Sequence, residues 1–461
     1  MRRLWLAALI AASSITASSH AQVIIATPSA YQRSIAAGYK AIFLCSGIFL
    51  AGRSQEQIES LELTGVYPEY DRIIPTLPAT IDRARGMVSV AFIDTLPPRR
   101  AEYRKGRGCM LVPVGATPPL PSEVREAPAP PAGRDLRAWP VGDTTGVIRT
   151  AGPVATQLTR AFDGESFGKG TRTTAVVVVR DGRIVAERYA EGFGPHVSQR
   201  TWSVAKSISG TLAGIAEGEG FVRVSDPARI PFWMYQPGYD PRRRITLGNL
   251  LRMSSGLHTI GPGNRSDDVY FGGGTVDGAP SAALIEAAPG TRFNYSNDDI
   301  MLAMLYLRAA IGEERYRDFP MTALFSRLDM RNTFAETDWR GNYVLSSQVW
   351  TTARDLARLG MFWLNDGVWQ GTRILPPYWM RYATMPSGPQ PPRGLKYGAT
   401  FWLLDGSPGL PPGCYAAIGN RGQFVIVIPS HRTVIVRRGE DPYGANFDGA
   451  RLAADMLAAL K

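Results

Sequence analysis

Lysine is scarce in this chain: only six of its 51 basic residues are lysines, and the arginines are scattered. The densest basic run, Arg242-Arg243-Arg244, is too short for a stripe that tracks phosphates. A formal net charge of +11 therefore does not point to a nucleic-acid partner. Histidine is scarcer still. His20, His196, His258 and His431 form neither an HExxH motif nor a short-spaced ligand pair. Three cysteines without partnering histidines do not make a zinc site, so no metal and no cofactor are expected. No apolar run approaches the ~20 residues of a helical membrane span, so no stable span is expected. Charged residues make up 20% and hydrophobic residues 44%, which excludes wholesale disorder.

What is present begins with a leader-like pattern. Met1-Arg2-Arg3 is followed by an apolar run from Leu4 to Ala12, small polar residues, and Ser19-His20-Ala21. These are the three regions of a secretory signal, with cleavage expected after Ala21 and a periplasmic or secreted destination. Export permits disulfides. Cys45 and Cys109 share the N-terminal region and are expected to pair, the alternative being two buried thiols; Cys414 is left over. The 461 residues allow two or three domains, at roughly 100–200 residues each. After residues 1–21 we expect an N-terminal extension over 22–112 and an extended connector over 113–142. That connector holds Pro113, Pro118, Pro119, Pro121, Pro128, Pro130, Pro131 and Pro140. One catalytic domain is expected over 143–461. No signal sets the oligomeric state.

Within that last region, Ala175–Val179 and Ile184-Val185-Ala186 flank an Asp181-Gly182 turn and predict a β-hairpin. Phe424–Ile428 and Thr433–Val436 predict a second strand pair. Val204–Ala216 is helix-compatible, closed by Gly218 and Gly220. Strands at both ends with helices between them predict an α+β fold: an antiparallel sheet flanked by helices, with an inserted, mainly helical subdomain.

Two serine motifs compete. Gly164-Glu165-Ser166-Phe167-Gly168 matches G-x-S-x-G, but a helical pattern precedes it and the strand follows, the reverse of a nucleophile elbow. A surface turn is expected there. Ser203-Val204-Ala205-Lys206 places serine and lysine on one face of a helix start, where a lysine with a lowered pKa can take the serine proton. Tyr295-Ser296-Asn297 follows downstream, and Gly419-Asn420-Arg421-Gly422-Gln423 leads into the strand Phe424–Ile428. In this order the three motifs resemble the serine β-lactamase and penicillin-binding protein superfamily. The Tyr-Ser-Asn version resembles its class C-like branch, with related esterases and 6-aminohexanoate-dimer hydrolases. Ile245–Leu257, Ala288-Pro289-Gly290-Thr291, Asp355-Leu356-Ala357-Arg358, Asp366-Gly367 and Tyr397-Gly398 carry the same likeness, which covers about 170–440.

The resemblance implies a catalytic set. Ser203 is the acylated nucleophile and Lys206 its activating partner. Tyr295 shuttles protons, its phenolate favoured by the lysine ammonium. Asn297 hydrogen-bonds Lys206 or a substrate carbonyl. The backbone N–H groups of Ser203 and Gln423 form the oxyanion hole, each such donor worth ~3 kcal/mol. Asn420 and Gly422 border the substrate, and Gly422 supplies the small residue this strand needs. Tyr270, in a glycine-rich loop, is a candidate substrate contact, with loop packing as the alternative. Penicillin-recognising relatives carry Lys-Thr-Gly where this chain has Asn420-Arg421-Gly422. The expected substrate is therefore a small carboxylic ester or linear amide. The alternatives are a D,D-peptidase or β-lactamase, and a non-enzymatic binding protein on the same fold. Trp202 reads as core, Trp363, Trp369, Trp379 and Trp402 as sheet–helix packing, and Arg437-Arg438 as solvated charge at a strand end.

Overall fold

The computed structural model describes residues 27–116, 137–259 and 265–461. The expected signal, residues 1–21, and most of the proline-rich connector lie outside the described residues. The principal helices are α1 (Ala30–Phe49), α2 (Gly152–Ala161), α3 (Val204–Gly218), α4 (Asn297–Ile311), α5 (Ala353–Leu364) and α6 (Gly449–Ala459). No described helix is long and apolar enough to cross a membrane.

The central sheet has seven strands. They are β5 (Thr173–Arg180), β6 (Arg183–Tyr189), β7 (Lys396–Tyr397), β8 (Trp402–Leu403), β9 (Tyr415–Gly419), β10 (Gln423–Ile428) and β11 (Thr433–Gly439). The order is β7-β8-β9-β10-β11-β5-β6, antiparallel throughout, so strands from the two ends of the domain meet at β11–β5. The β-branched runs are explained by burial on both faces. Val177, Val179, Val425, Val427, Val434 and Val436 face the large core that includes α3, α4 and α5. Val176, Val178, Ile426, Ile428 and Ile435 face a smaller core closed by α2 and α6. The alternation follows from successive side chains pointing to opposite faces. The hairpin, the second strand pair and the helix starting at Val204 lie where the sequence predicts them, and the α+β architecture is as expected.

The N-terminal region is a built layer. Strands β1 (Ala79–Asp82), β2 (Met87–Val90), β3 (Arg99–Arg104) and β4 (Gly108–Val112) form an antiparallel sheet in that order. Helix α1 packs on it and is buried from Ile35 to Ile48. Cys45 on α1 and Cys109 on β4 form the disulfide, and Cys414 is a buried thiol. The same helix reaches the catalytic region: Phe43 lies 6.2 Å, ring to ring, from Trp350 and Ser46 Oγ donates to Glu336 at 2.6 Å. An apolar, nearly all-round buried helix sandwiched between two layers is the expected outcome of its composition.

One charge reading is corrected. Arg437 and Arg438 are fully buried. Arg437 makes two 2.8 Å bonds to Asp441, and Arg438 donates to the carbonyls of Thr351, Gln199 and Arg200. Neighbouring segments cover this end of β11, and the guanidinium donors are satisfied inside.

Candidate active site

Three elements converge on Ser203. The first is the start of α3. Trp202 adopts a left-handed backbone (φ +50°), which turns the chain sharply before Ser203. Ser203 is the N-cap residue, yet its side chain makes no cap bond. Its hydroxyl instead meets Lys206 Nζ at 3.0 Å, one turn along. The remaining residues of α3 through Ala216 are buried, so Lys206 is held inside the molecule.

The second element is the start of α4. Asn297 Oδ1 accepts from Lys206 Nζ at 2.5 Å, one of its two expected contacts. The Tyr295 hydroxyl hydrogen-bonds Ser203, and the lysine Nζ lies 5.0 Å from the centre of the Tyr295 ring. The third contact was not foreseen: the Ser346 carbonyl accepts from Lys206 Nζ at 2.9 Å. A backbone carbonyl can come from any residue type, so no sequence signal marks it.

The electrostatics assign different states to the two proton carriers. Burial, with an opposing pull from Asp298 and a further push from buried Arg200, lowers Lys206 to about 7. Burial raises Tyr295 to about 12, against the lowering effect of the Ser203 bond. The expected phenolate is thus corrected: desolvation keeps the phenol protonated and makes the lysine the group with an available lone pair near neutral pH. Neutral amine, serine hydroxyl and phenol are within one bonded cluster. That arrangement can remove a proton from Ser203 and deliver one to a leaving group.

The cleft above this cluster has a volume of about 570 Å³ and is bordered by Ser203, Tyr295, Trp402, Asn420, Gly422 and Phe447 among others. Asn420 and Gly422 therefore border the cleft. Asn420 also donates to the Tyr67 hydroxyl at 3.2 Å, bringing the N-terminal layer to its edge. Trp402 is a cleft residue, its ring 5.4 Å from that of Tyr295, and not only sheet packing.

Two placements differ from expectation. Gln423 does not line the cleft. It pairs in register with Gly419 across the β9–β10 turn, and its amide oxygen accepts from Arg438 at 2.6 Å. The backbone beside the Ser203 N–H is at Gly419, where a Cβ would stand 3.0 Å from Ser203 N and 2.4 Å from the Thr201 carbonyl. Only glycine allows β9 to come this close to the start of α3. Tyr270 is buried beneath the site and not in the cleft: its hydroxyl shares a 2.5 Å bond with Ser346 Oγ. It braces the residue whose carbonyl holds Lys206.

The competing motif behaves as a turn: Ser166 Oγ donates to Asp163 at 2.5 Å on the exposed surface. His258 is paired with exposed Glu286. Among the described residues no group of histidine, cysteine and carboxylate side chains could hold a metal ion.

Comparison with known proteins gives the same frame. A 6-aminohexanoate-dimer hydrolase from Paenarthrobacter ureafaciens is 28% identical over 309 residues, covering 62% of this chain and 76% of its own. A penicillin-binding protein homologue from Pyrococcus abyssi shares the fold, with a TM-score of 0.52 at 17% identity over 67% of this chain and 76% of that one. A class C beta-lactamase matches with a TM-score of 0.50 at 16% identity, over 67% and 96%. The Beta-lactamase family model matches residues 157–459, the span that contains every member of the Ser203 cluster. With that match, the chain is a member of the beta-lactamase family of hydrolases, related to 6-aminohexanoate-dimer hydrolase.

Proposed function

We propose that this protein is an exported serine hydrolase that cleaves small carboxylic esters or linear amides through an acyl-enzyme on Ser203. The observation that carries the reading is the buried Lys206 amine, held at about 7 and 3.0 Å from Ser203 Oγ. The neutral amine takes the hydroxyl proton as Oγ bonds to the substrate carbonyl carbon. The Ser203 N–H and the backbone at the Gly419 end of β9 face the developing oxyanion. As the bond to the leaving oxygen or nitrogen breaks, the Tyr295 phenol protonates it and recovers a proton from the lysine ammonium. Water then repeats the sequence on the acyl-enzyme, with the serine as leaving group.

The third motif supports an ester or linear amide over a β-lactam. Its one cation, Arg421, is taken up by Glu440 at 2.9 Å and by the carbonyls of Leu61, Thr64 and Gly65. No lysine precedes it to hold a β-lactam carboxylate. The Cys45–Cys109 disulfide and the leader-like N-terminus support export. A mature protein starting at Gln22 in the periplasmic or culture fraction is the expected mass-spectrometric result.

The test of the reaction is covalent labelling by a fluorophosphonate, with turnover of p-nitrophenyl esters, nitrocefin and linear amide oligomers compared in one panel. Labelling and ester or amide turnover should vanish in Ser203→Ala. Undiminished labelling or turnover in that variant refutes the assignment.

A further inference from the structure

The arginine run at 242–244 takes no part in the Ser203 cluster, and the fold gives it a setting of its own. Pro227 and Thr246 bridge as antiparallel partners, and the Ala228 N–H donates to the Ile245 carbonyl at 2.7 Å. Residues 229–244 are thereby closed off as a compact surface loop, with exposed Arg229 and Arg244 at its neck. The loop holds four arginines and a single acid, Asp240. That acid is neutralised within the loop by Arg242 at 2.8 Å. Arg243 donates to the carbonyls of Trp233, Met234 and Gln236. Arg229, Arg243 and Arg244 have no carboxylate partner among the described residues.

Between the neck arginines the loop is apolar on its outside. Phe232, Met234, Tyr235 and Tyr239 are all exposed, the two tyrosines by 86% and 75%. Single exposed apolar residues are ordinary, but a group this close together in one loop marks a surface that meets a partner. The loop cannot fold these side chains away. Trp233 is fully buried and its indole donates to the Ser281 carbonyl at 2.8 Å, and Pro231, Pro237 and Pro241 restrict the backbone. Phe232 and Tyr235 border one surface cavity of about 480 Å³, so they share a side. The acids of that cavity, Asp277 and Glu313, are taken up by Arg340 at 2.8 Å and Arg308 at 2.7 Å. The patch is therefore aromatic and net positive.

Aromatic rings beside unpaired guanidinium groups match the boundary layer of an anionic bilayer, where rings sit at headgroup level and cations meet phosphate. Such a surface satisfies both features without the shape-matched groove that a folded partner needs. A second copy of this chain would set arginine against arginine across a two-fold axis. We infer that residues 229–244 dock the protein on an anionic phospholipid surface. Tyr235 and Tyr239 enter the headgroup layer, and Arg229 and Arg244 hold lipid phosphates.

Co-sedimentation of the full chain with vesicles rich in phosphatidylglycerol, against vesicles of phosphatidylcholine alone, tests this. Binding should be strong to the first, weak to the second, and should fall with added salt. Arg229→Gln with Arg244→Gln should weaken it by about thirtyfold, the scale of surface-potential attraction for two cations. Tyr235→Ser with Tyr239→Ser should weaken it by about tenfold or more. These four side chains are exposed and lie outside the catalytic cluster, so ester turnover in solution should be unchanged in both pairs. Lys169→Gln with Arg183→Gln removes two exposed cations outside the loop and should leave binding near the native level. Failure to bind phosphatidylglycerol vesicles, or an equal loss in the Lys169 and Arg183 pair, overturns the inference. Binding that the tyrosine pair leaves intact does the same. Sedimentation velocity covers the other occupant: a dimer that the tyrosine pair dissociates assigns the loop to a second copy and overturns the lipid reading.

Discussion

The ring of Phe43, on the N-terminal helix, lies 5.8 Å from the ring of Trp202, the residue before Ser203. The Arg200 guanidinium lies beside both rings, 5.1 Å from Phe43 and 4.2 Å from Trp202. The layer outside the family match thus braces the turn that presents Ser203. Phe43→Ala should destabilise the fold by about 3–5 kcal/mol, read from chemical denaturation. It should also lower kcat more than it raises KM, because the loss loosens the residue before the nucleophile and not the cleft wall. An unchanged kcat in folded Phe43→Ala protein would show that the layer is only a support.

The lysine predicts a pH profile. Lys206 must be neutral to accept the Ser203 proton, and burial places its pKa at about 7. The log of kcat/KM for a neutral ester should rise with slope one below about pH 7 and level off above it. Asn297→Ala removes the 2.5 Å acceptor of the ammonium form, so the apparent pKa should fall. A limb that stays in place in this variant argues against Lys206 as its source.

Gly419 sets the approach of β9 to α3. In Gly419→Ala the new methyl would stand 2.4 Å from the Thr201 carbonyl, so the strand must retreat from the Ser203 N–H. We expect kcat to drop by about a hundredfold, the scale of a lost oxyanion donor, with a stability loss of about 1–3 kcal/mol. Circular dichroism would separate the two effects. Gln423→Ala should instead act on stability, since its side chain bonds Arg438 and interior carbonyls.

Asp299 gives a stability signature away from the chemistry. It is buried on α4, accepts from Ser255 Oγ at 2.7 Å, and its second oxygen has no hydrogen-bond partner among the described residues. Burial raises it to about 7 from an ordinary value near 4. Below about pH 4 the group is protonated in both folded and unfolded chains and folding carries no penalty from it. Between about pH 4 and 7 the folded chain holds the extra proton, so stability falls as pH rises, and the penalty is full above about 7. Asp299→Asn removes the charge while keeping the acceptor. Its melting temperature should exceed that of the native protein at pH 8, with the gain fading by pH 4. A pH-independent difference would be the contrary result.

Much of this was legible along the chain. The hairpin at Asp181-Gly182, the β-branched strands, and the Ser203–Lys206 pair one helical turn apart depend on spacing and turn chemistry within a few residues. The pairing of Cys45 with Cys109 needed only their shared region and the absence of another partner nearby.

The remainder depended on what the folded chain brings together from afar. Arg421 adopts a left-handed backbone (φ +55°) and turns its guanidinium to the N-terminal layer, which its neighbours in sequence do not reveal. Gln423 and Gly419 belong to one five-residue motif but face different surroundings across one turn. Whether Lys206 or Tyr295 holds a proton is decided by burial, and burial comes from residues as distant as Asn297 and Ser346. Sequence alone determined which elements form and which side chains share a face, because those are short-range properties of the backbone. Tertiary structure alone decided charge state and donor geometry, because desolvation and ion pairing depend on contacts between residues far apart in the chain.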